Sequence, residues 1–246
     1  MSSTAVTTKQ RVSALPFIAT APGYEGTLSP AKPPLTIPAR FIAFVSRPWI
    51  DKIIAVTVSV PALWMAYDCY QAGLMDLPRA LFFVQAALFV LTMLVRRNPV
   101  RISTNPWFWI VASVNSYYNL VTAGLLRGGV HIAPVSLINF LAVFGIWVAI
   151  FARLSLGRNI GLVPAQRKIV TKGMYRYMRH PIYSGYFLCA ISWGLSCFSL
   201  LNALVIGFGC LMVVIKTLME ESFLSEDPEY AAYMKRVRWR WFPGLA

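Results

Sequence analysis

The sequence predicts an all-α, multi-pass transmembrane helical protein of about six spans, with a short C-terminal helix on the cytoplasmic side. Three observations predict it. Of the 246 residues 57% are hydrophobic and only 13% charged, and the mean hydropathy of +0.59 is too high for an ordinary soluble domain. Apolar segments recur along the chain, each close to the roughly 20 residues a helix needs to cross a bilayer core. Finally, the cations gather between those segments rather than within them.

The first region, residues 1–47, is rich in Ser, Thr, Pro, Ala and Gly, with Pro22-Gly23 and Pro33-Pro34 as breakers, and reads as an irregular arm. Its Leu15-Pro16-Phe17-Ile18 and Phe41-Ile42-Ala43-Phe44-Val45 pieces, flanked by Arg11, Arg40 and Arg47, suit a membrane surface. For the first part of the arm a partly disordered tail is an equal reading. No sustained apolar core follows a basic start, so no cleavable signal peptide is expected.

The six segments run approximately 53–70, 77–95, 107–126, 132–154, 183–199 and 200–219. The first four make up a region at 48–154. The last two are separated only by Ser199-Leu200-Leu201-Asn202, which predicts a tight helical hairpin. With the N-terminus inside, every Lys and Arg except Arg79 and Arg127 falls on one face, as expected for an even number of spans with both ends cytoplasmic. Trp107, Trp109, Trp239 and Trp241 stand where interfacial anchors belong.

The formal net charge of +14 does not argue for nucleic acid, because that needs a basic face on a soluble domain. Anionic lipid headgroups and an anionic ligand group are the expected partners. The four cysteines form no CxxC pair and lie in or beside apolar segments, so neither a disulfide framework nor a zinc site is expected.

One polar stretch breaks the apolar pattern: Lys172-Gly173-Met174-Tyr175-Arg176-Tyr177-Met178-Arg179-His180-Pro181-Ile182-Tyr183-Ser184-Gly185. Proline is tolerated in a first helical turn, because the N–H it lacks would have no partner there, so Pro181 marks the start of a helix. A loop that merely sets orientation explains the charge. It does not explain the joint density of Tyr, Arg, His and Gly. Gly173-x-Tyr175-x-x-x-Arg179-His180-Pro181-x-Tyr183-x-Gly185, followed by Glu220-Glu221-x-x-Leu224 and Tyr230-x-x-Tyr233, resembles the isoprenylcysteine carboxyl methyltransferase family of integral-membrane enzymes. The related phospholipid methyltransferases share much of this pattern. The resemblance begins near Ser155 and makes residues 155–246 a C-terminal methyltransferase region of cofactor hinge, two-helix hairpin and cytoplasmic tail.

The resemblance implies S-adenosyl-L-methionine as cofactor and a lipophilic or amphiphilic methyl acceptor entering from the bilayer. It places Tyr175, His180, Pro181, Ile182, Tyr183 and Glu220 at the cofactor, with Arg167, Lys168, Ile169 and Val170 lining it through their backbone. Chemistry agrees: the ligand needs donors for a carboxylate, which His180 and the start of the following helix supply, and an acceptor for an ammonium, which Glu220 supplies. Aromatic faces at Tyr175 and Tyr183 suit a sulfonium. On spacing alone Lys216 and Glu220 are an i,i+4 pair. The resemblance instead puts Lys216 at the acceptor carboxyl, although the family position is normally arginine, whose planar fork suits a carboxylate better.

Asn159, in Ser155-Leu156-Gly157-Arg158-Asn159, resembles part of a family turn and is a further candidate contact, and Gly157 is a candidate helix cap. Glu221 is the candidate base if the acceptor is an amine. Carboxyl O-methylation of an isoprenylcysteine-like acceptor is the leading expectation, with phospholipid amine N-methylation as the alternative. Two other classes stand beside them: an NADPH-dependent sterol-reductase-like enzyme and a non-catalytic membrane scaffold.

Overall fold

The computed structural model describes residues 77–97, 101–125, 128–161 and 165–245, together with 99 and scattered positions between 38 and 73. Residues 1–37 of the arm at 1–47 and most of the expected span at 53–70 lie outside the described residues, as do the side chains of Tyr117 and Asn119.

Among the described residues the chain forms α1 (Leu77–Leu94), β1 (Arg101–Ile102), α2 (Pro106–Leu125), α3 (Val135–Leu156), β2 (Ala165–Gln166), α4 (Pro181–Ser196), α5 (Leu200–Leu224) and α6 (Pro228–Arg236). Single 3-10 turns stand at Gly157–Asn159 and Gly173–Arg176. The fold is therefore mostly helical. Three helices are long and apolar enough to cross a membrane: α1, α3 with its 3-10 extension, and α5. Among the described residues these three meet the requirement, and the expected first span at 53–70 lies mostly outside them. At 16 residues α4 falls short of the roughly 20 needed. α2 has the length, but carries Asn115 and Asn119 in its middle.

Local chemistry explains where the elements begin and end. Gly157 ends α3 at a φ of 54°, a conformation costly for other residues, and its N–H bonds the Arg153 carbonyl. Pro181 opens α4 at the first helical position. The Ser199 hydroxyl accepts the Asn202 N–H at 3.1 Å, capping α5, while Asn202 Nδ2 donates to the Cys197 carbonyl at 2.6 Å. These bonds make the close hairpin between α4 and α5 that the sequence predicts. Asp227 caps α6 by accepting from Glu229 N at 2.7 Å and Tyr230 N at 3.3 Å, with Pro228 just behind it.

Backbones approach closely where α3 crosses α4. A Cβ built on Gly185 would stand 2.5 Å from the Gly145 carbonyl oxygen, and one on Gly145 would stand 2.9 Å from the Gly185 oxygen. Small residues permit this contact, as membrane helix pairs require. Ala165–Gln166 pairs antiparallel with Arg101–Ile102, and residues 167–170, just after it, have no regular structure. This pairing holds the segment after α3 beside the foot of α5, where Arg101 donates to Glu226 Oε2 at 2.8 Å and to the Phe223 carbonyl at 2.7 Å.

Candidate active site

The hinge, the foot of α5 and the extended tail after α6 meet at one carboxylate. Glu221 is buried, and its Oε1 accepts from Arg179 Nε at 2.6 Å and lies 3.1 Å from His180 Nε2. Its Oε2 accepts from Arg240 Nε at 2.9 Å. The main chain repeats the junction: Arg179 N donates to the Trp239 carbonyl at 2.9 Å and His180 N to the Arg240 carbonyl at 2.8 Å. Arg179 Nη1 adds bonds to the Val237 and Arg238 carbonyls at 2.7 and 3.0 Å. Trp241 closes the seam. Its carbonyl accepts the Ser184 hydroxyl, its indole donates to Thr217 Oγ1 at 3.3 Å, and its ring meets Phe187 edge-on. Trp241 is thus fixed between α4 and α5, where the sequence suggests an interfacial anchor.

One helical step away, Glu220 faces a different set of groups. Tyr183 Oη lies 3.1 Å from both Glu220 oxygens, Lys216 Nζ lies 3.8 Å from Oε1, and His180 Nδ1 lies 4.0 Å from Oε2. The His180 and Tyr183 rings stack at 5.6 Å with planes 8° apart, and Lys216 Nζ stands 5.7 Å from the centre of the Tyr183 ring. With its side chain 20% exposed, Glu220 keeps an open side that Glu221 lacks. Consecutive helical positions point about 100° apart, which is why adjacent glutamates serve two clusters.

Tyr175 forms the wall nearest α3. It is buried, its carbonyl accepts the Tyr233 hydroxyl at 2.8 Å, and its 3-10 turn is tied to α3 where Met174 N meets Ser155 Oγ at 3.4 Å. Burial, and then the neighbouring Tyr233, push its phenol well above the ordinary value; Arg153 acts in the opposite direction and Glu220 in the same one. Tyr233 is likewise pushed up to about 12 by burial, against the pull of Arg179. Both phenols are therefore neutral hydrogen-bonding groups at physiological pH. Tyr230, Tyr233 and Val237 form a small core with Ile169, Leu224 and Met234 that seats α6 under the hinge.

The structure thus brings together Lys216, Glu220, Glu221, His180 and Tyr183, with Tyr175 beside them. Pro181 is buried and Ile182 half-buried in the first turn of α4. The 167–170 segment divides. Arg167 is buried, donating to the Arg97 carbonyl at 3.0 Å, Lys168 is exposed, Ile169 joins the tyrosine core and Val170 is half-buried. Asn159 has Nδ2 on the Leu156 carbonyl at 3.2 Å, while its buried Oδ1 has no partner among the described residues. Glu221, the expected base, has both oxygens engaged by two guanidiniums and an imidazole.

Sequence reasoning gave no role to three residues that matter here. Arg179 is in the motif, adjacent to His180, and that adjacency was the available signal. Nothing local marks Arg240, whose partner lies in another element. Arg153 is buried in the last turns of α3, where a charged residue in an apolar helix is costly unless paired or functional, and that cost was its signal.

The arrangement offers a partly exposed acceptor carboxylate beside an aromatic stack and a cation. Such a set holds a zwitterionic or cationic ligand by charge and by ring faces. Residues 132–230 match the model of the phospholipid methyltransferase family, to which the isoprenylcysteine carboxyl methyltransferases are related. The match covers α3, the hinge, α4, α5 and the start of α6, and it indicates a membrane methyltransferase. Comparison with curated proteins finds no match.

Proposed function

We propose, from the match of residues 132–230 to the phospholipid methyltransferase family, that the chain transfers a methyl group from S-adenosylmethionine to a lipophilic acceptor. The observation that carries this reading is the convergence of Tyr183, His180 and Lys216 on the partly open Glu220 carboxylate. Glu220 accepts from the ammonium or ribose of the donor. The stacked Tyr183 and His180 rings, with Tyr175, line the space for the sulfonium. When bound, the sulfonium supplies a methyl group that is already strongly electrophilic, so the chain's own residues contribute alignment and exclusion of water.

Lys216 then serves two groups. It stands beside Glu220 and over the Tyr183 ring, close enough to steady an acceptor carboxylate as it approaches. This favours carboxyl O-methylation of an isoprenylcysteine-like acceptor. Glu221 has a bridging part, holding the tail against the hinge through Arg179 and Arg240. The basic face carries both chain ends, the hinge and the cofactor on the cytoplasmic side, next to anionic lipid. Phospholipid amine N-methylation is the second reading, favoured by the family that matches.

Titration of purified protein with S-adenosylhomocysteine tests the reading. Binding is expected, with His180→Ala and Glu220→Ala each weakening it. A labelled-methyl assay offering prenylcysteine and aminophospholipid acceptors side by side then separates the two chemistries. Failure to bind S-adenosylhomocysteine, or preference for NADPH, overturns the methyltransferase reading.

A further inference from the structure

The donor's amino-acid end needs a cation or strong donors for its carboxylate, and the expected source is already committed. His180 Nε2 faces Glu221, and its backbone N–H donates to the Arg240 carbonyl. Its Nδ1 faces Glu220, a like-charged neighbour for any carboxylate. Arg179 and Arg240 are bound to Glu221. Lys216 pairs with Glu220.

Arg153 is different. Its residue is only 6% exposed, and its Nε and Nη1 are buried with no hydrogen-bond partner among the described residues. Its guanidinium carbon stands 5.1 Å from the centre of the Phe89 ring, and no carboxylate pairs with it among the described residues. A guanidinium is always charged, and burying one without an anion costs several kcal/mol. The side chain is therefore built to receive a negative group. Its position suits the site: the Gly173–Arg176 turn is seated on the end of α3 through Ser155, two residues from Arg153, and carries Tyr175. Tyr175 lies within electrostatic reach of both Arg153 and Glu220.

We infer that Arg153 is the carboxylate-binding residue of the methyl-donor site, opposite Glu220, so that the two clamp the donor's α-amino-acid zwitterion with Tyr175 between them. This rests on the methyltransferase reading and deepens it. An α-carboxylate and α-ammonium share one carbon, so a buried cation and a carboxylate that both reach Tyr175 would recognise that group and not the nucleoside. Two or more parallel N–H···O bonds from the planar fork then fix the direction of the sulfonium arm.

The test is equilibrium binding to the full chain in detergent, using two probes. S-adenosylhomocysteine carries the amino-acid end, and 5′-methylthioadenosine carries the nucleoside and thioether without it. Arg153→Gln is expected to weaken S-adenosylhomocysteine about ten- to hundred-fold while leaving 5′-methylthioadenosine unchanged. Arg153→Lys, which keeps the charge without the fork, is expected to lie between and serves where the glutamine variant fails to fold. Equal loss of both probes, or no loss of either, overturns the clamp. So does unchanged S-adenosylhomocysteine affinity with a raised acceptor KM, which would assign the anion to the acceptor. If the wild-type chain binds neither probe, the methyltransferase reading itself fails.

Discussion

Arg179 Nε lies 2.6 Å from Glu221 Oε1, a buried pair joining the hinge before α4 to the foot of α5. Arg240 on the other oxygen and the backbone bonds of Trp239 and Arg240 turn this pair into the fastening of the tail. A sequence separation of 42 residues is closed here by charge.

The first prediction follows from this burial. Glu221→Gln leaves the Arg179 guanidinium buried without its carboxylate, and breaking such a pair by removing one partner costs about 3–5 kcal/mol. The variant is expected to melt earlier in detergent and to expose residues 237–245 to proteolysis. Glu220 is less buried and its contact with Lys216 is longer, so Glu220→Gln is expected to lower donor affinity with a smaller loss in melting than Glu221→Gln. If the two variants show the same pattern, the division between a fastening glutamate and a ligand glutamate is wrong.

Tyr183 separates the contributions of ring and hydroxyl. Tyr183→Phe keeps the stack on His180 but loses the hydroxyl that donates to Glu220. One such bond contributes about 0.5–1.5 kcal/mol, more when the acceptor is charged, so S-adenosylhomocysteine binding is expected to weaken about three- to tenfold. Tyr183→Leu also removes the aromatic face and is expected to weaken it further. Calorimetry on both variants checks the order, and equal losses would mean that the ring contributes nothing.

Much of this site was legible in the sequence because it is local. The run from Tyr175 to Tyr183 and the glutamate pair stand out through the family they resemble, the proline at the start of α4 is readable from helix chemistry, and the 216/220 relationship is one helical turn. What escaped depends on distant partners. Nothing near Arg240 says that it meets Glu221, and the cost of a charge in an apolar helix marks Arg153 without naming its partner. Trp241 looks like an interfacial ring from composition, yet Thr217, Ser184 and Phe187 claim it. The strand at 165–166 escaped because its partner, Arg101–Ile102, lies beyond an intervening helix pair and sets the pairing from outside the segment.

The contact between α3 and α4 yields a prediction in which glycines of adjacent elements behave differently. Gly185 has the Gly145 backbone in the place where a Cβ would go, so Gly185→Val is expected to destabilise at or above the upper end of the ~1–3 kcal/mol range for overpacking. Gly207 in α5 meets nothing within 4 Å. There Gly207→Ala is expected to be neutral or stabilising by up to ~1 kcal/mol, since alanine is the better helix former. Thermal unfolding of both variants decides it, and a tolerated Gly185→Val would mean that the helices do not cross so closely.

The cap of α6 gives a pH dependence whose sign can be worked out. Backbone hydrogen bonding, first from the Glu229 N–H, holds the Asp227 carboxyl below its ordinary value of 3.8, against a smaller opposing effect of desolvation. A depressed carboxyl in the folded chain means that the unfolded chain takes up the proton first as pH falls. The cap's contribution is therefore complete above the ordinary value and is lost as pH falls through the lower, folded one. Asp227→Ala is expected to loosen α6, and with it the Tyr230–Tyr233–Val237 core, at neutral pH. The gap in melting temperature between wild type and variant should close as the buffer is taken below pH 3.8. Asp227→Asn keeps an oxygen acceptor without a titrating group, so it should retain most of the cap and show none of this pH dependence. A gap that widened in acid, or persisted unchanged, would show that the carboxylate is not what holds the start of this helix.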